Sequence, residues 1–254
     1  MTVAIRNDGP VAVIEMTGDG RHNPLSAQLV ADMLAALHDR AVRSARAIVI
    51  AGAAKSFCAG ANIPDLLDGG WMDETPRGRT PEDLFRKIDK QDRPTFAAVH
   101  GNVMGGGFEL ALCTDLLVAD PDTRFALPET GLGVIPNTAL PRLAAMVGVR
   151  RALDIVLTRR TLSADEAHKL GLVTAISGEE GPVAAAVAQA RAIVETAPPG
   201  ALAAVKRELR WIGGTDWAQV HRTLAALPRA EWTEGLTAFT ERRAPDFQRF
   251  WEDP

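Results

Sequence analysis

The chain has 254 residues, near the upper end of what one hydrophobic core supports, and 46% of them are hydrophobic. A formal net charge of −4 removes the electrostatic case for a nucleic-acid partner, and no block of like charge is long enough to be an interaction tail. Two widely separated cysteines without metal-ligand spacing, no leading apolar run and no membrane-length apolar stretch point to a cytoplasmic protein with reduced core thiols and no metal.

Val11–Met16 (VAVIEM) reads as a strand after the turn Asp8-Gly9-Pro10. Ser26 is a candidate N-cap for a helix from Ala27 to Arg43, with Val30, Met33, Leu34, Leu37 and Ala41 at helical spacing on one face. Ala47 to Ala51 is a short, continuously apolar strand, so strand–helix–strand predicts a right-handed crossover and a parallel pair. At its end, GAAKSFCAGANI (52–63) crowds small residues around Ala59-Gly60-Ala61. Backbone N–H groups there can face a pocket without side chains in the way, although a plain surface loop has the same composition. Residues 64–93 are rich in Pro, Gly and acids. They read as an excursion over roughly 66–80, a lid or a disordered insertion, followed by a helix from Glu82 to Lys90.

The stretch from His100 to Asp120 organises the chain. Thr95 to Val99 is a buried strand, Gly105-Gly106-Gly107 a turn, and Phe108 onward a helix that runs into the strand DLLVA. Glycines at a strand-to-helix turn permit close backbone approach, and the unpaired N–H groups at the helix start suit a negatively charged oxygen. Glu109 falls one turn in, on the same face as Gly106. A carboxylate in such apolar surroundings is costly unless it is solvated, paired or used. The spacing is neither a dinucleotide fingerprint nor a P-loop. Thr123 to Leu127 follows, and then PETGLGVIPNTALPRL places a second acid, Glu129, among Leu127, Pro128 and glycines. Helices are predicted over Leu140–Val147, Arg151–Leu157 and Ala164–Leu170, the last with a Ser163/Glu166 capping box and a Gly171 stop. Residues 172–176 read as a strand. From Pro182 only helical patterns remain, broken at Ala197-Pro198-Pro199, Gly213-Gly214 and Pro228.

Six segments in consistent order resemble the enoyl-CoA hydratase/isomerase family, the crotonases: RHNPLS (21–26), SFCAGANI (56–63), GNVMGGGFELALCTDLLVAD (101–120), FALPETGLGVIP (125–136), LSADEAHKLGLV (162–173) and EGLTAFTERRAPDF (234–247). The resemblance implies an α/β fold, a crotonase-like spiral of ββα units forming two roughly perpendicular sheets. It implies a division into a 1–196 core with the acyl-CoA site and a 197–254 helical region for trimerisation, and assembly as a homotrimer or a hexamer of two trimers. Coenzyme A would enter as part of an acyl-CoA substrate, with no separate cofactor. The matching oxyanion-hole positions are the backbone N–H groups of Ala61 and Gly106, and the two glutamates that flank the reacting double bond in hydratases match Glu109 and Glu129. Ala59, Gly60, Asn62, Ile63, Gly105, Gly131 and Pro136 would contact substrate.

Some positions depart from the hydratase pattern. Gly60-Ala61-Asn62 stands where Gly-Ala-Asp is usual. Asn137 to Leu143 replaces a Gly-rich run that shapes the acyl pocket and the water site. The chain has no tyrosine, so it is a poor match for relatives with catalytic tyrosines. Three functions stay open: a 2-enoyl-CoA hydratase, an isomerase or other enolate enzyme in the same site, and a weakly catalytic CoA- or RNA-binding family member, against whose RNA branch the acidic balance speaks. The aromatic residues Trp211, Trp217, Trp232, Phe239, Phe247, Phe250 and Trp251 suggest an interface, with Phe239 near a CoA site.

Overall fold

The computed structural model describes residues 2–18, 22–53, 55–68, 71, 80–213, 216–225 and 227–247. Strands β1 (Val3–Asp8) and β2 (Val11–Met16) form an antiparallel hairpin. Helices α1 (Ala27–Ala36) and α2 (Arg40–Ser44) lead to β3 (Ala47–Gly52), which pairs parallel to β2. Helices α3 (Ile63–Leu67) and α4 (Pro81–Asp89) precede β4 (Thr95–Val99), β5 (Asn102–Met104), α5 (Gly106–Leu112), β6 (Leu116–Ala119) and β7 (Arg124–Ala126). A single 3-10 turn at Glu129–Leu132 is followed by α6 (Ala139–Val147), α7 (Val149–Thr158), β8 (Leu162–Ser163), α8 (Ala164–Lys169) and β9 (Ala175–Ile176). The chain closes with α9 (Gly181–Thr196), α10 (Pro199–Gly213), α11 (Trp217–Ala225) and α12 (Arg229–Glu241).

Among the described residues these strands make one sheet in the order β1-β2-β3-β4-β6-β9 and a second, β5-β7-β8. Successive side chains of a strand point to opposite faces, so a strand buried on both sides reads as a continuous apolar run. In β2 and β3, Ala12, Ile14, Met16, Ile48 and Ile50 enter the main core with α1, α4 and α5. Val11, Val13, Ala47 and Val49 enter a second core against Ala186, Val187, Ala190 and Val194 of α9. Strands β3 and β4 run parallel, so the 52–63 loop and β5, which leads into the triple-glycine turn, leave the same end of the sheet, and Cys58 bridges to Val103 of β5. The crotonase-like α/β arrangement and the parallel β2–β3 pair are as expected from the sequence, as are the breaks before α10, α11 and α12.

Several local readings change. The single helix expected from Ala27 to Arg43 is two, because the Asp39 side chain captures the Ala41 N–H at 2.7 Å and starts a new helix in a new direction. Residues 172–176 contribute only Ala175–Ile176 to the sheet. Thr174 Oγ1 instead accepts from the Leu117 N–H. The Ser163 box is half made: Ser163 Oγ accepts from Glu166 N–H, but the Glu166 carboxylate turns to Arg160. Helix α5 begins at Gly106, two residues before Phe108. The excursion at 66–80 falls largely on residues 69–70 and 72–79, outside the described residues, as do the Trp211 side chain, Phe250 and Trp251.

Helix α12 is pressed against the Glu129 turn by close approach. A Cβ on Gly235 would sit 2.2 Å from the Leu132 carbonyl oxygen, so only glycine fits there. This contact brings Phe239 and the residues after α12 to the mouth of the cleft described next.

Candidate active site

The geometry starts at Gly105, whose φ of 51° and ψ of −129° turn the chain from β5 into α5. Its N–H donates to Ala126 O at 2.9 Å. Its carbonyl accepts from Phe108 and Glu109 N–H at 2.8 and 3.0 Å. Among the described residues the Gly106 N–H, at the first helical position, has no acceptor. Facing it, the Ala59-Gly60-Ala61 loop is stitched to Leu25: Gly60 O accepts from Leu25 N–H, and Asn62 N–H donates to Leu25 O, both at 2.8 Å. Ala61 N–H lies between these two bonds and again has no acceptor among the described residues. A Cβ built on Gly106 would lie 3.6 Å from Ala61 N, and one built on Gly60 would lie 3.6 Å from Gly106 N. The two unbonded donors thus border one small space, bounded also by the Leu25 side chain.

Both candidate acids reach that space. Glu109 is buried, and its Oε1 accepts from the Thr138 and Ala139 N–H groups at 2.8 and 3.0 Å, at the start of α6. Its Oε2 lies 3.9 Å from where a Gly106 Cβ would be. Glu129 comes from the 3-10 turn on the other side. Its Oε1 lies 2.8 Å from where a Gly105 Cβ would be, and its Oε2 is buried with no partner. Burial pushes the Glu129 carboxyl up to about 7, against the pull of its own backbone N–H. Burial first, then the negative charges of Glu129 and Glu82, hold Glu109 well above the ordinary carboxylate range, while the Ala139 and Thr138 N–H groups pull the other way. Two carboxyls so placed share protons rather than titrate alone.

This has a consequence for stability. An acid whose folded-state pKa is raised binds more protons folded than unfolded, so its contribution is favourable below the unfolded pKa and is lost as pH rises through the folded one. For Glu129 that window runs from the ordinary carboxylate range to about 7. Glu129→Gln removes the loss, worth on the order of 3 kcal/mol for this shift. The melting temperature of Glu129→Gln, measured relative to wild type, is expected to climb between about pH 5 and about pH 8. A pH-independent difference would show that Glu129 ionises freely in the fold.

The acids and donors open into a cleft of about 1460 Å³. Of the residues expected to contact substrate, Ala59, Gly60, Asn62, Ile63, Gly105 and Gly131 line it, while Pro136 is not among the lining residues and its carbonyl accepts from Leu140 N–H at the start of α6. Phe239 and Phe247 line it as well. Sequence reasoning missed Trp71, Glu82, Phe85 and Arg159, which share the wall, and missed that Glu109 is held by the α6 backbone. The α4 pair had a readable signal, the Thr80-Pro81 helix start one turn before Phe85. The other contacts come from chain segments too far apart for a local pattern. Among the described residues no helix is long and apolar enough to cross a membrane, and no group of three His, Cys, Asp or Glu is placed to hold a metal.

The sequence profile of the enoyl-CoA hydratase/isomerase family matches residues 6–250. An enoyl-CoA hydratase homologue of Thermus thermophilus is 34% identical over 252 residues, 94% of this chain and 98% of the other. Subunit I of an enoyl-CoA hydratase from Geobacillus kaustophilus superposes with a TM-score of 0.73 at 32% identity, over 98% of both chains. A methylmalonyl-CoA decarboxylase superposes with a TM-score of 0.82 at 25% identity, over 97% of this chain and 98% of the other.

Proposed function

The chain belongs to the enoyl-CoA hydratase/isomerase family, and from that premise we propose that it is an enoyl-CoA hydratase, adding water reversibly to a 2-enoyl-CoA thioester. As a member of that family it is a crotonase-type enzyme working on acyl-CoA thioesters through an enolate held in an oxyanion hole. The observation that carries the finer reading is the pair of buried acids on either side of the glycine turn. One is anchored by two N–H bonds with an oxygen to spare, and the other has a buried oxygen that nothing among the described residues satisfies.

In this reading the thioester carbonyl oxygen sits between the N–H groups of Ala61 and Gly106. Charge that builds on that oxygen as the enolate forms meets two preorganised donors, which act in the transition state more than in the ground state. Glu109, fixed by α6, orients a water with Oε2 and takes its proton as oxygen bonds to C3. Glu129, raised by burial, gives a proton to C2 as the enolate collapses. Addition thus consumes one water and leaves the carboxyl pair with its protons redistributed, to be reset through solvent. The same geometry would serve a proton transfer between C2 and C4, and the Asn137–Leu143 run favours that second reading.

A panel of short, long, branched and aromatic enoyl-CoAs, with products read by mass, tests the proposal. Hydration adds the mass of one water. Isomerisation leaves the mass unchanged and moves the double bond. Decarboxylation of a carboxylated substrate removes one CO2. No product with any of them would leave a CoA-binding family member with little catalysis.

The proposal extends to assembly and domain division: a 1–196 core and a 197–254 helical region, working as a homotrimer or a hexamer. Support comes from exposed apolar side chains in both parts. Val149, Leu153 and Leu157 repeat every four residues along α7, each half or more exposed, and Val205 and Leu209 do the same on α10. Such a stripe on a stable helix is an interface signature. Leu153→Asp with Leu157→Asp is expected to convert the wild-type oligomer to monomer in light scattering while the far-ultraviolet spectrum is kept. An oligomer of unchanged mass would remove α7 from the interface.

A further inference from the structure

Three arginines that the hydration chemistry does not use line the cleft: Arg159, Arg242 and Arg243, the last held by Glu234 and Glu241. Arg159 follows α7 in the left-handed region, with φ 56° and ψ 23°. This is a common way for a helix to end, and Arg242 ends α12 in the same region. Next to Arg159, Arg160 is engaged, bonding Asp154 at 2.7 Å and Glu166 at 2.5 Å. Both nearby acids are thereby occupied, and among the described residues Arg159 makes no hydrogen bond or ion pair. Nor does it serve Glu129, whose Oε2 is without a partner.

Arg159 lies along Gly131. A Cβ at Gly131 would be 3.2 Å from Arg159 Cδ and 3.3 Å from Nε, so the bare glycine is what lets the guanidinium lie along this wall. Gly131 belongs to the turn that carries Glu129, so Arg159 lies against the same turn as that acid and lines the same cleft. Arg159 is exposed, in a cleft that Leu132, Val134 and Ile135 also line. An unpaired guanidinium there presents a planar fork that matches a planar anion.

We propose that Arg159 binds a second carboxylate at the far end of the acyl group, so that the substrates are CoA monothioesters of short unsaturated dicarboxylic acids. This deepens the acyl-CoA reading above and rests on it. The thioester end meets Ala61 and Gly106, the reacting carbons lie between Glu109 and Glu129, and the distal carboxylate meets the guanidinium. A phosphate of the CoA moiety has related chemistry and is the alternative source of the anion.

Binding without reaction separates these cases. Glutaryl-CoA and pentanoyl-CoA have the same chain length, carry no double bond to hydrate and differ in the distal carboxylate. Calorimetry on wild type is expected to show at least about tenfold tighter binding of glutaryl-CoA, the scale of one charge-assisted bidentate contact. Arg159→Ala should abolish that preference and leave pentanoyl-CoA within about twofold. Arg159→Gly, which suits the left-handed backbone, should melt no lower than wild type and lose the preference equally. Equal weakening of both ligands would assign Arg159 to a CoA phosphate and overturn the proposal, as would a wild type that binds both alike. In turnover, glutaconyl-CoA should exceed 2-pentenoyl-CoA in kcat/KM, with the ratio collapsing in both variants. If neither enoyl thioester is hydrated but the calorimetric preference holds, the hydratase reading fails and the carboxylate site stands.

Discussion

Glu109→Gln and Glu129→Gln are each expected to lower hydration of a 2-enoyl-CoA by at least about a hundredfold, the scale of a lost general acid or base. Glutamine suits this test because its amide oxygen can still accept from Thr138 and Ala139, so the start of α6 survives while the basic oxygen is gone. The double variant should be little worse than either single one, because both acids act on one water and one enolate. Their roles differ, and exchange can separate them. Glu109→Gln should still exchange the C2 proton of a saturated acyl-CoA with deuterium while failing to hydrate, since Glu129 handles that proton. Full hydration by Glu129→Gln would dismiss Glu129 as the acid and favour isomerisation.

Gly106→Val is the second large effect. Even its first carbon would stand 3.6 Å from Ala61 N and 3.9 Å from Glu109 Oε2, inside the space the thioester oxygen must occupy. The fold has room for it if Leu25 Cδ1, at 3.2 Å, gives slightly. Loss of one oxyanion donor costs on the order of 3 kcal/mol in transition-state stabilisation, and Gly106→Val should lose at least that in kcat/KM. Gly106→Ala should fall in between. Gly107 is unsuitable for the same question, since a Cβ there would lie 2.3 Å from Cys58 O and the lesion would be one of packing. A folded Gly106→Val variant with near-normal turnover would refute the oxyanion assignment.

Much of this architecture is legible along the chain because its determinants are local. Ser26, Thr80 and Ser163 announce helix starts, and Pro198-Pro199 and Pro228 announce breaks. The apolar runs of β2, β3 and β4 declare strands buried on both faces. The Leu37–Asp39 break was hidden by an apolar period that continues through it to Ala41, although Asp39 was the cap that should have shown it. Strand β5, three residues long, pairs with β7 and bridges to Cys58, and nothing within Asn102–Met104 signals either partner. In the site, glycines and acids stand out because their residue types are costly where they sit. The setting of Glu109 depends on residues 29 and 30 positions away, and that of Arg159 on Gly131. Such pairings are properties of the folded chain.

The bonds from Glu109 to the α6 backbone make the two acids unequal under relaxed selection. Were a descendant of this protein freed from turning over substrate, Glu109 would still close the open end of a helix, and its loss to alanine would unsettle that helix by about 1 kcal/mol. Glu129 offers the fold no such service: its unsatisfied oxygen lowers stability at neutral pH, so most substitutions there would be tolerated or welcome. Random drift would erase position 129 first. In a lineage of such proteins, a retained glutamate at 109, whose helix bonds offset part of the cost of its burial, would testify to chemistry and to the start of α6 together, and a retained glutamate at 129 to chemistry still in use.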